Sequence, residues 1–206
     1  MGLGARLLVL GAPLVVASWG AQAAVSVVKV VNFSCQFCKS SEAMDLPIRA
    51  AVELAGGKMV YAAMPADENS DGSRERMYYA ARAKWPMLEP RVREALYRGA
   101  QDLGYPLATA NQTAEWLSTD LADLNYDWVS LVQSSATGEA DQAFTRALRL
   151  AVQAGVQVLP AYVVVQDGQV LHTLDVDSAG GTYSGLRQAV IEAVNKAVAS
   201  SSKKPQ

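Results

Sequence analysis

The sequence predicts an α/β protein in which a β-α-β unit and a β-β-α unit are separated by a block of helices. Three observations carry this: a valine-rich run near the start, a long central stretch of helical periodicity, and an Asp-Gly dipeptide between two apolar runs near the end. The run Val25-Ser26-Val27-Val28-Lys29-Val30-Val31 suits a mostly buried strand reaching to about Phe33. Ala43, Met44, Ile48, Ala51, Val52 and Leu54 then recur at helical spacing as far as Gly56-Gly57, a C-terminal stop. Pro47 should kink this helix, because it removes one intrahelical donor. Lys58 to Met64 reads as a second strand, ended by Pro65.

Helical segments are expected near Glu75 to Lys84, Glu89 to Leu103, Thr113 to Leu124, Tyr126 to Val132 and Glu139 to Ala154. Pro86, Gly104-Tyr105-Pro106 and Gly138 separate them. Trp85, Trp116 and Trp128 are expected to pack between helices, since aromatic side chains dominate buried area. Strand character returns at Pro160 to Val165 and at Val170 to Leu174, with Asp167-Gly168 as the hairpin turn. A last helix is expected from Tyr183 to Val198. The implied division is residues 24–70 and 156–199 for the two halves of one domain, 71–155 for the inserted helices, and a disordered tail at 200–206.

At the N-terminus, Arg6 precedes an apolar run from Leu7 to Ala17, followed by Ala21-Gln22-Ala23. That order is a secretory signal, which places the folded part outside the cytoplasm and predicts residues 1–23 to be removed. The run is shorter than the roughly 20 residues of a permanent span, although an uncleaved anchor is the alternative. The chain has 18 basic and 20 acidic residues. This balance offers no electrostatic footprint for nucleic acid.

Only two cysteines occur, as Cys35-Gln36-Phe37-Cys38. A bridge across two intervening residues closes almost no loop, so stability is a poor reason for the pair. Placed at a helix start after a strand, Cys35 would meet unpaired amides and the positive end of the helix dipole, which favour the nucleophilic thiolate. Cys38, one turn later, would be the resolving thiol. Zinc would need two further ligands, and the single histidine, His172, is far along the chain, so neither a metal nor a separate cofactor is expected. His172 reads as a hairpin residue.

On Val30 to Cys38, the helical block and Ala154-Gly155-Val156-Gln157-Val158-Leu159-Pro160-Ala161, the chain resembles the DsbA family of the thioredoxin superfamily. The resemblance implies a thioredoxin fold with an inserted helical subdomain and a redox-active Cys35–Cys38 disulfide. It also implies a cis peptide bond before Pro160, and contact of Gln36, Phe37, Leu159 and Pro160 with substrate. Glu42 matches an acidic family residue beneath the site; four positions after Cys38, it could exchange that thiol's proton or could be a solvated helix glutamate. Strongly oxidising members have Pro-His between the cysteines; Gln36-Phe37 offers no positive charge, which implies a less oxidising couple.

The function implied is that of a periplasmic, monomeric oxidase of cysteine-containing secreted proteins, reoxidised by a DsbB-type membrane partner. A reductase or isomerase kept reduced by a membrane donor is one alternative. A redox-like assembly factor of a secretion or conjugation system is another.

Overall fold

The computed structural model describes residues 25–65 and 70–201; the expected signal segment and the end of the tail lie outside the described residues. β1 (Val25–Val31) leads to α1 (Gln36–Ser40), a 3-10 turn (Ser41–Met44), α2 (Asp45–Leu54) and β2 (Lys58–Ala63). The inserted helices are α3 (Ser73–Lys84), α4 (Glu89–Tyr97), α5 (Ala110–Asp120), α6 (Ser130–Ser135) and α7 (Gly138–Gln153). β3 (Ala161–Gln166), β4 (Gln169–Leu174) and α8 (Tyr183–Ser201) complete the chain.

The four described strands form one sheet in the order β2-β1-β3-β4, with β1 parallel to β2 and the other neighbours antiparallel. β1 therefore joins the two halves that the helical block separates in sequence. Its central position explains its burial, with Val25, Val27, Val30 and Val31 fully covered. The expected hairpin turn is present, with Asp167 and Gly168 both at positive φ as a type I′ turn requires.

Local differences from expectation have physical causes. The helix after the cysteines is broken at Ser41–Met44, upstream of Pro47, which lies in the first turn of α2 where its missing N–H has no helical partner to lose. The segment expected at Tyr126 to Val132 begins its helix only at Ser130, because the Asp127 carboxylate takes the Ser130 amide at 3.1 Å. α4 ends at Tyr97 and continues as a π-helical turn, Arg98–Asp102. α8 runs through Ser201, past the start of the expected disordered tail.

The tryptophans pack as expected. Trp116 and Trp128 are buried, Trp85 meets Trp128 with ring centroids 5.1 Å apart, and the Trp116 indole donates to the Ala95 carbonyl at 2.8 Å. His172 is exposed on β4, opposite Val164.

β2 is an edge strand of the described sheet, and its outward carbonyls are not left bare. Arg49 donates to Met59 O, Arg82 to Tyr61 O and the Tyr79 hydroxyl to Ala63 O.

The turn from α2 into β2 is tightly constrained. Gly56, at φ +72°, donates to Glu53 O and Gly57 to Val52 O, the paired bonds that close a helix through a left-handed residue. A Cβ on Gly57 would lie 1.7 Å from the Val25 carbonyl oxygen, whereas one on Gly56 meets open space. Gly57→Ala should therefore cost about 2 to 3 kcal/mol and Gly56→Ala only about 1. Denaturant unfolding of the two variants measures this, and a Gly57 variant as stable as the parent would mean that β1 and α2 are not so close.

Candidate active site

The site is built from the end of β1. Asn32, buried, donates its side-chain amide to Met64 O at 2.8 Å and accepts the Ser34 amide at 2.6 Å, while Cys35 N bonds back to Asn32 O at 3.1 Å. These bonds turn the chain sharply, so Cys35 arrives as the N-cap of α1 with extended backbone. Its sulfur accepts the Cys38 amide at 3.1 Å, the role a serine or aspartate oxygen fills at other helix starts.

The two thiols are unequal. Cys35 is partly exposed and Cys38 fully buried, and both are free thiols in the structure, which is the reduced form of the pair. A hydrogen bond from the Cys38 thiol brings the pKa of Cys35 down to about 7 against the opposing effect of burial, with help from the amides of Cys38 and Phe37 and the charge of Lys29. The same hydrogen bond, then burial, holds Cys38 far above the usual thiol range. Near neutral pH the accessible sulfur is therefore the nucleophile and the buried one keeps its proton.

Leu159 and Pro160 come to the pair from the other half of the fold. The Leu159 carbonyl lies 3.8 Å from the Cys35 sulfur, Pro160 is buried, and the bond between them is cis. Gln36 is exposed, and Phe37 stands 64% exposed beside the thiol. Glu42 pairs with Arg93, which also bonds Glu89 at 2.9 Å. Burial raises the pKa of Glu42 and Arg93 opposes that rise.

Several residues around the site carry no signature of their own in sequence. Gln101, on the π-helical turn, donates to Phe33 O at 2.8 Å and Cys35 O at 3.1 Å, so the helical subdomain holds the backbone of the cysteine loop. Tyr97 packs edge-on against Phe33 with a buried hydroxyl that has no partner among the described residues. Beneath the pair, Lys29 is wholly buried and its ammonium lies 2.7 Å from Asp45. Asp45 also accepts from Tyr61 at 2.5 Å and Tyr162 at 2.6 Å. A lysine inside a valine run was the one available signal, since an unpaired lysine is almost never fully buried. Among the described residues no cluster of His, Cys, Asp or Glu could hold a metal ion, and no helix is long and apolar enough to cross a membrane.

No family model matches the chain, and no curated protein matches it in sequence. Solved structures share its fold. The crystal structure of Pseudomonas aeruginosa DsbA superposes with TM-score 0.70 at 20% identity, covering 89% of each chain. The disulfide oxidoreductase DsbA from Proteus mirabilis gives 0.60 at 18% identity, covering 88% of this chain and 90% of that one. The oxidoreductase DsbA from Xylella fastidiosa gives 0.63 at 17%, covering 87% and 88%. The fold is thus the thioredoxin fold with an inserted helical subdomain.

Two outcomes follow from the site. The folded-state pKa of Cys35 is depressed, so its stabilisation is fully present above the unfolded thiol value of about 8.5 and is lost as pH falls through about 7. The reduced protein should therefore gain stability over its Cys35→Ser variant between about pH 6 and pH 9, and a flat difference would show an unshifted thiol. Asp45→Ala, which strands Lys29 in the interior, should cost about 3 to 5 kcal/mol, while Lys29→Met with Asp45→Leu should recover much of it. Equal losses in single and double variants, measured by denaturant unfolding, would refute the pairing.

Proposed function

From this fold and this pair of thiols, we propose that the chain is a thiol-disulfide oxidoreductase acting on cysteine-containing secreted proteins. The observation that carries the reading is the asymmetry of the pair, an accessible Cys35 brought to about pKa 7 over a buried, protonated Cys38. In the oxidising direction a substrate thiolate attacks the Cys35 sulfur of the Cys35–Cys38 disulfide, and Cys38 leaves as thiolate and takes a proton. A second substrate thiolate then attacks the substrate sulfur of the mixed disulfide and expels Cys35. The substrate has lost two electrons and the protein has gained them. The protein's own disulfide is the redox group, with no separate cofactor.

The compartment is the periplasm, on the strength of the signal-like residues 1–23. Its working state is a monomer, and a DsbB-type membrane protein returns it to the disulfide form. The resemblance supports an oxidase. A reductase is the second reading, and the Cys35 pKa favours it: a thiol near 7 is as acidic as that of thioredoxin and far less acidic than that of a strong oxidant.

The oxidised protein should form disulfides in a reduced, unfolded client, and Cys35→Ser should abolish this. Equilibration of the pair with glutathione separates the two directions. A potential well below that of glutathione would overturn the oxidase reading, and no exchange at all would overturn both. Phe37→His, which puts a cation beside the Cys35 thiolate, should lower its pKa and raise the potential by roughly 20 to 30 mV. An unchanged potential would show that the amides and Cys38 alone set the couple.

A further inference from the structure

β2 and α2 face α3, α4 and α7 across an open trench. Two adjoining cavities of about 490 and 510 Å³ make it up, sharing Arg49, Tyr61, Pro86 and Glu89. Each alone has the size of a small-ligand site, so together they extend beyond one small ligand. The trench has two chemically distinct stretches.

One stretch is cationic. Arg49, Lys58, Arg82 and Arg146 line it, and none has a carboxylate partner among the described residues. Arg49 and Arg82 donate to main-chain carbonyls of β2, and Arg82 also lies over the rings of Tyr78 and Tyr79, so neither is neutralised by a carboxylate. Lys58 and Arg146 are exposed. Of the acids of the trench, Asp45 is paired with Lys29, and Glu42 and Glu89 share Arg93, so at most one negative charge stands against the four cations. In a chain whose net charge is −2, this is a local concentration of free positive charge.

The other stretch is apolar at its rim. Leu46, Met87, Pro86 and Pro90 line the second cavity. Leu46 is 75% exposed and Met87 92%. Tyr79 and Leu150 continue apolar lining into the cationic stretch. A neighbouring row of cations and apolar side chains complements a ligand that carries acidic groups along one part and apolar groups along another.

We propose that this trench docks a short acidic, amphipathic peptide segment of another protein, its carboxylates against Lys58, Arg82 and Arg146 and its apolar side chains against Leu46 and Met87. The trench shares Glu42 and Asp45 with the surroundings of the thiols, but the side chains assigned to the ligand are not among the groups that set either thiol, so binding and exchange can be tested apart. Such a segment would tether the protein to its partner without occupying Cys35.

The test uses the full chain and a dye-labelled, cysteine-free peptide with a run of glutamates in one half and leucines spaced by serines in the other, followed by fluorescence anisotropy. A counterpart with lysine for glutamate is the control. The acidic peptide should bind, more weakly at higher salt, and the control should not. Lys58→Glu with Arg146→Glu should weaken binding about tenfold, and Leu46→Ser with Met87→Ser by a similar factor. Disulfide exchange should be unchanged in all four substitutions, which are at exposed positions. Equal binding of the two peptides, affinity indifferent to the charge reversal, or no binding of the acidic peptide would each overturn the proposal. So would capture of phosphatidylglycerol vesicles, but not of the peptide, with the same charge dependence, because the trench would then face a membrane.

Discussion

The carboxylate of Asp45 is the point on which the two halves of the fold converge. Lys29 lies opposite Tyr61 on one side and Tyr162 on the other in the strand register, so three side chains from β1, β2 and β3 stand abreast across the sheet. All three donate to Asp45 in the first turn of α2. An acid there also suits the positive end of a helix dipole. Burial pushes the lysine toward neutrality and Asp45 opposes it, while burial and then Asp45 raise both tyrosines, so each partner needs the others to remain in place. The 3-10 break at Ser41–Met44 follows from this arrangement: α1 must aim Cys35 outward while α2 turns Asp45 down onto the sheet.

That division explains how the thiolate is set without help from the side chains between the cysteines. The stabilising groups are the Cys38 thiol, two amides of α1 and the more distant Lys29 charge, all fixed by backbone or by the buried cluster. Gln101 then holds the loop from the helical side through two carbonyls, an attachment that leaves the sulfur itself unencumbered. The Phe37 side chain is consequently free of any electrostatic duty and stands open at the surface, while its amide serves Cys35.

What could be read in the sequence was what local chemistry determines. Asp167-Gly168 specifies a turn by its backbone preferences, the cysteine spacing specifies one turn of helix, and the valine run specifies a central strand. What could not be read depends on contacts between distant residues. Glu42 meets Arg93 fifty-one positions later, and Asp45 meets Tyr162 across 117. Pro47 was a misleading signal because its effect depends on where the helix begins, and that is decided by Asp45 and the sheet rather than by the proline. Lys29 was visible as an anomaly, but nothing near it in sequence names its partner.

The capped edge of β2 has a consequence for the chain among its own copies. An edge strand with free carbonyls is a template on which another molecule can extend the sheet. With Arg49, Arg82 and Tyr79 seated on three successive outward carbonyls, an incoming strand must first displace two guanidinium groups and bring its own amides against fixed positive charge. The same side chains thus act as a barrier to aggregation through this edge, and their loss would be felt first as a lower concentration at which the protein stays dispersed.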